Sequence, residues 1–136
     1  MKKALIIILL IAVAIIVVIV LTTPPPPPTT ASLTVSDQEL VGNEVVIDAF
    51  DLDQPGYVVI HKDVDGAPGP VIGNSDFIQA GSYKNVRVKF DVSEAGEGIF
   101  AMLHYDDDGD EEYGFPDEDA PVILEGNVVV KPISFR

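Results

Sequence analysis

The chain has 136 residues, 47% of them hydrophobic, with 22 Asp and Glu against 8 Lys and Arg and no Cys. Without Cys there are no disulfides, zinc–thiolate sites, iron–sulfur clusters or thiol chemistry. All the acidic residues and only six of the cations follow residue 30, so residues 31–136 carry a net charge of −16, which excludes nucleic acid as a partner because binding it rests on cations meeting phosphates.

Lys2 and Lys3 precede an unbroken run of 18 apolar residues at 4–21. As a helix this run is about 27 Å long, close to the ~30 Å hydrocarbon core of a bilayer. A removable signal peptide has an apolar region of roughly 7–15 residues followed by a small-residue cleavage site. Here the run is longer, and Leu21-Thr22-Thr23-Pro24 offers no such site. Residues 4–21 are therefore predicted to be an uncleaved transmembrane signal anchor, with residues 1–3 cytoplasmic and the rest outside the cell membrane. A cleaved signal is the alternative. Lys3-Ala4 before a long aliphatic helix also resembles the processing site of archaeal type IV pilins and archaellins, so a pilin-like filament subunit is a rival reading. Against it, the prolines at 24–28 stop the helix at bilayer length.

Residues 22–30, TTPPPPPTT, form a linker. Proline fixes φ and donates no backbone hydrogen bond, so the stretch is expected to be extended polyproline II, about 28 Å long, and to act as a spacer.

Beyond the linker, turn signals recur at short intervals and no segment holds a helical period. Strands are predicted at 32–35, 44–52 (EVVIDAFDL) and 57–62 (YVVIHK), the last two joined by a turn at Asp53-Gln54-Pro55-Gly56. Gly66-Ala67-Pro68-Gly69-Pro70 is predicted to be a loop before a short strand at 71–73. In the next strand, 83–90, Val86, Val88 and Phe90 point inward and Arg87 and Lys89 outward. SEAGEG at 93–98 turns into 99–105 (IFAMLHY), and 121–124 and 128–135 close the chain around a turn at Gly126-Asn127. Seven or eight strands with period-2 patterning in about 100 residues predict an all-β, immunoglobulin-like antiparallel β-sandwich, without the Cys and Trp centre of antibody domains.

The segments YVVIHKD, VIGNSDFIQAGSYKNVRVKF and IFAMLHYDDDGDEEYGFP, with a proline-preceded final hairpin, together resemble an uncharacterised domain family. That family occurs in archaeal secreted and membrane-anchored proteins, notably halophilic ones. The resemblance covers nearly all of 42–136 and implies an extracytoplasmic β-sandwich, and it leaves activity open. This chain departs from the family pattern at Asp108, where Asn is frequent, and at Gly114, where Asp is frequent; the second change removes one oxygen donor.

Three constellations bear on chemistry. The stretch 106–119 holds nine carboxylates and no cation. Asp106, Asp108 and Asp110 repeat at every second position, a spacing that lets a turning loop aim alternate carboxylates at one point. With Asp117 they are the predicted calcium ligands, because Ca²⁺ takes six to eight oxygens in irregular geometry. Gly109 permits the turn, but the loop is no EF-hand, since Glu111 stands at the glycine position and Asp117 at that of the bidentate glutamate. His61 and His104 each end an apolar strand, with Met102 on the face of His104. If their strands are neighbours, the three are candidates for copper and a redox, cupredoxin-like role, although a blue-copper site needs a thiolate. The expected role of both histidines is structural. Ser75-Asp76 lacks a nucleophile-elbow context, and no enzyme activity is predicted. The predicted function is a membrane-anchored module with a structural or binding role, calcium as its only cofactor, and cell-envelope proteins or glycans as partners.

Overall fold

The computed structural model describes residues 24–114 and 118–136. The predicted membrane segment and Asp117 lie outside the described residues. Nine strands are present among the described residues: β1 Ser32–Thr34, β2 Glu44–Leu52, β3 Gly56–Val64, β4 Ala67–Asn74, β5 Gly81–Lys89, β6 Gly98–Tyr105, β7 Ile123–Leu124, β8 Asn127–Val128 and β9 Val130–Ser134. A single 3₁₀ turn, Val92–Glu94, is the only helical element among the described residues. Asp91 caps it by accepting the Ser93 amide.

The alternation of apolar residues sorts the strands into two antiparallel sheets, β1-β2-β5 and β4-β3-β6-β9, and a two-stranded hairpin β7-β8. Val45, Ile47, Phe50 and Leu52 of β2 face Val58 and Ile60 of β3, Ile99, Ala101 and Leu103 of β6, and Ile133 of β9 across one shared core. Each of these side chains is buried, which contributes about 1.5–3 kcal/mol apiece before entropy is charged against it. Val88 and Phe90 point inward with them while Arg87 and Lys89 stay exposed, as the alternation predicted. Between Ile47 and Phe50 the buried positions of β2 change from odd to even. The change falls at Asp48, which is unpaired opposite Asn85, a residue with φ of +53°.

Three predicted boundaries differ. GAPGP is mostly strand: Asp65 and Gly66, both with positive φ, make the turn, and Val64 pairs with Ala67. Pro68 and Pro70 are tolerated there because β4 is an edge strand and its register is broken by irregularities at His61. The final hairpin turns at Glu125-Gly126, with φ of +50° and +82°, because Ile123 pairs with Val128 and Leu124 with Asn127. A sequence scan favours Gly-Asn over a glutamate that must adopt the left-handed region. The strand count is nine because the last predicted segments divide into three short strands.

The β3–β6 pairing fixes what lies on the outer face of the larger sheet. Tyr57 is opposite His104, Val59 opposite Met102 and His61 opposite Phe100. All six are buried, so the β3–β6 centre of this sheet is covered on both sides. The outer layer is capped partly by aromatic rings from loops, with Phe77 and Tyr113 packed edge-on against Tyr57 at 6.0 and 5.5 Å. This layer lies under the acidic loop.

Candidate metal centre

The loop leaves β6 at Tyr105 and returns toward β7. Backbone bonds at its neck pin both ends: the Tyr105 amide donates to Ala120 at 3.1 Å and the Asp106 amide to Pro55 at 3.0 Å. Within it, carboxylates turn the chain by accepting amides two or three residues ahead. Asp106 accepts from Gly109 at 3.2 Å, Asp108 from Asp110 at 3.1 Å and Asp110 from Glu112 at 2.8 Å. Such side-chain turns suit Asp and explain why a repeating acidic segment coils tightly here. Gly109 and Glu111 supply the positive φ that the coil needs.

Asp119 organises the loop from inside. It is 0% exposed. Its Oδ1 accepts the Asp107 amide at 3.1 Å and its Oδ2 the Gly114 amide at 2.7 Å, while its own amide donates to the Gly114 carbonyl at 2.7 Å. Asp107 returns the favour across the neck by accepting the Ala120 amide at 3.0 Å.

Asp106, Asp108 and Asp119 each offer an oxygen, and no two of these oxygens are more than 4.8 Å apart. Like charges at ~4 Å repel by about 1 kcal/mol per pair even in water, and by more where water is displaced. The Asp106 carboxyl is pushed above the usual range by desolvation first, and also by the charge of Asp119 and a hydrogen bond with Asp108, against the amides of Glu111 and Gly109 that hold it down. Of the four residues read from the sequence as ligands, Asp106 and Asp108 are brought together. Asp110 lies outside the cluster on the exposed rim, with one oxygen on the Glu112 amide. Asp117 lies outside the described residues. Asp119 is the member that spacing missed: it is thirteen positions from Asp106, and only its burial marks it out.

The two histidines do meet. Their rings stack with centroids 5.7 Å apart and planes 20° from parallel. Each holds a backbone carbonyl through Nδ1, His61 that of Gly69 and His104 that of Asp119, both at 2.8 Å. A carbonyl only accepts, so Nδ1 carries the proton in both rings. Burial, and then the neighbouring His61, lower the His104 pKa despite the Asp119 carbonyl. His104 thereby ties the sheet to the acidic loop, and His61 ties β3 to its edge strand. Ser75 is also structural in its contacts: its Oγ accepts the Val58 amide at 3.0 Å.

Fold and loop together define a class, a small and strongly acidic antiparallel β-sandwich with a carboxylate cluster at one end of its larger sheet. The chain belongs to the family described as Domain of unknown function (DUF7282), which matches residues 31–136. Cell surface glycoprotein 2 of Haloarcula hispanica is 39% identical over 100 residues, covering 73% of this chain and 11% of that protein. Cell surface glycoprotein 1 of the same organism is 38% identical over 101 residues, again 73% of this chain and 11% of the relative. The chain therefore corresponds to a small part of these relatives, and neither name denotes an enzyme. No solved structure matches the chain. The resemblance to an uncharacterised archaeal, halophilic family is thus established.

Proposed function

We propose that the protein is a cell-surface structural module that binds calcium in its acidic loop, through Asp106, Asp108 and Asp119. The observation that carries this reading is the convergence of three carboxylates, one fully buried, with no Lys or Arg bonded to them among the described residues. Oxygens that all lie within 4.8 Å of one another can share one cation, and a coiled loop of this kind suits Ca²⁺, which accepts irregular geometry, better than Mg²⁺, which demands a near-ideal octahedron. Backbone carbonyls, waters and Asp117 are the remaining donors. With few protein ligands the affinity belongs to the weak, extracellular range, on the order of 10⁻⁴–10⁻³ M.

The location rests on two supports. The relatives bear the name cell surface glycoprotein, and residues 4–21 have the length and hydropathy of an anchor. The module stands off the membrane on its proline spacer. Its strand order, with β4 beside β3 rather than beside β5, supports reading it as an immunoglobulin-like sandwich whose fourth strand has changed sheets. Sandwiches of this kind serve as rigid spacers and binding modules, and the calcium would hold the end loop rigid.

Elemental analysis of the purified protein, followed by calorimetric titration with Ca²⁺ and Mg²⁺, tests the reading. One equivalent of calcium binding more tightly than magnesium is expected. Absence of saturable calcium binding would remove it.

A further inference from the structure

We infer that the Tyr57 hydroxyl is part of the cation site, where it holds a water molecule bound to the ion. The inference rests on the calcium reading above and adds a residue outside the acidic loop. Tyr57 is on β3, directly across from His104, and its side chain is 1% exposed beneath the loop. Its ring is fixed edge-on by Phe77 on one side and Tyr113 on the other. The hydroxyl oxygen is buried and has no hydrogen-bond partner among the described residues.

A buried phenol with nothing to bond is costly, because it forgoes its hydrogen bonds with water. The acidic loop packs beside this residue: Tyr113 of the loop lies edge-on to the Tyr57 ring at 5.5 Å, and the Asp106 amide bonds Pro55, two residues before Tyr57. Burial raises the Tyr57 pKa first, and then the charges of Asp106, Asp119, Asp110 and Asp108 raise it further. Those carboxylates are therefore near enough to act on the hydroxyl, and yet none is within hydrogen-bond distance. A cation held by the carboxylates and carrying water would give the phenol the partner it lacks. Calcium commonly keeps water in its shell, and such a water, polarised by the ion, donates well to the phenol oxygen. Tyr57 is thus a positioning residue, acting on the ion through that water. Ion binding then satisfies the phenol and the repelling carboxylates together.

The test is Tyr57→Phe in the full chain, purified in mild detergent. Two quantities are read: calcium affinity by calorimetry, and thermal melting in a chelator. Removing a hydroxyl that bonds to nothing leaves the calcium-free protein as stable as before or slightly more so. In the same variant calcium binds about tenfold or more weakly, the loss expected for one hydrogen bond to a charged centre. Unchanged affinity in Tyr57→Phe, with the wild type binding calcium, overturns the role of Tyr57 and leaves the site itself standing. Weaker binding accompanied by lower melting in chelator also overturns it, since the hydroxyl would then serve the fold. A wild type that binds no calcium defeats the site reading and this inference with it.

Discussion

Tyr113 packs its ring edge-on against Tyr57, 5.5 Å between centroids and 64° between planes, and so anchors the acidic loop to the outer face of β3. It meets His104 at the same distance, almost perpendicular at 86°. A loop with this many like charges needs such an anchor, since nothing in its own composition is apolar between Asp106 and Glu112. Tyr113→Ala is expected to cost about 1–3 kcal/mol in a urea melt, the range for losing an aromatic pair and its burial. It should also speed proteolysis within the loop. A variant as stable as the wild type would mean that the neck bonds alone hold the loop in place.

On β5 the register makes a clean contrast. Val88→Asp puts an unpaired charge into the core beside Val45 and should destabilise by roughly 3–5 kcal/mol. Arg87→Glu, one residue away, should change stability by only about 0.5 kcal/mol, because its partner Glu44 is a loose surface contact at 3.6 Å. Chemical denaturation of both variants checks this, and similar losses in the two would contradict the assigned faces.

Titration of His104 and Tyr105 predicts a stability that falls at both pH extremes. The pKa of His104 is lowered in the folded protein, so the unfolded chain binds a proton first as pH drops through 6.5. Stability is therefore intact above about 6.5 and declines below it until the folded imidazole also titrates. On the alkaline side Tyr105 is pushed up to about 12, by burial first and by the hydrogen bond it donates to Asp53 at 2.7 Å. The unfolded tyrosine ionises near 10, so stability declines between 10 and 12. Melting temperatures across this range, compared with Tyr105→Phe, check the alkaline limb, which the variant should make shallower.

Much of this architecture is legible in the sequence. Pattern locates strands at 44–52, 57–62, 83–90 and 99–105, and alternation assigns the faces of 83–90, but the pairing of 57–62 with 99–105, a condition in the sequence, is decided by the structure. Local pattern fails where tertiary context decides. Pro68 and Pro70 read as a loop because their place on an edge strand is invisible in one dimension. Glu125 is held in a left-handed turn by the pairing on either side of it. The site divides in the same way. Asp106 and Asp108 are found by spacing, whereas Asp119 joins them only because the loop folds back on itself, with Asp119 accepting the Asp107 and Gly114 amides.

Membrane topology is tested on intact cells. Protease added outside should remove the module and leave a membrane-held stub from the 4–21 segment. Soluble, intact protein beginning near residue 31 would instead favour a cleaved signal.

The most direct test of calcium binding compares two substitutions of equal charge. Asp108→Asn and Asp110→Asn each remove one negative charge from neighbouring positions of the same loop, but only Asp108 belongs to the converging cluster. Melting temperatures are measured with chelator and then with millimolar calcium at fixed ionic strength. Wild type and Asp110→Asn should both gain stability on adding calcium, and Asp108→Asn should lose most of that gain. Equal gains in all three proteins would mean that calcium merely screens an acidic surface, and the site would not exist.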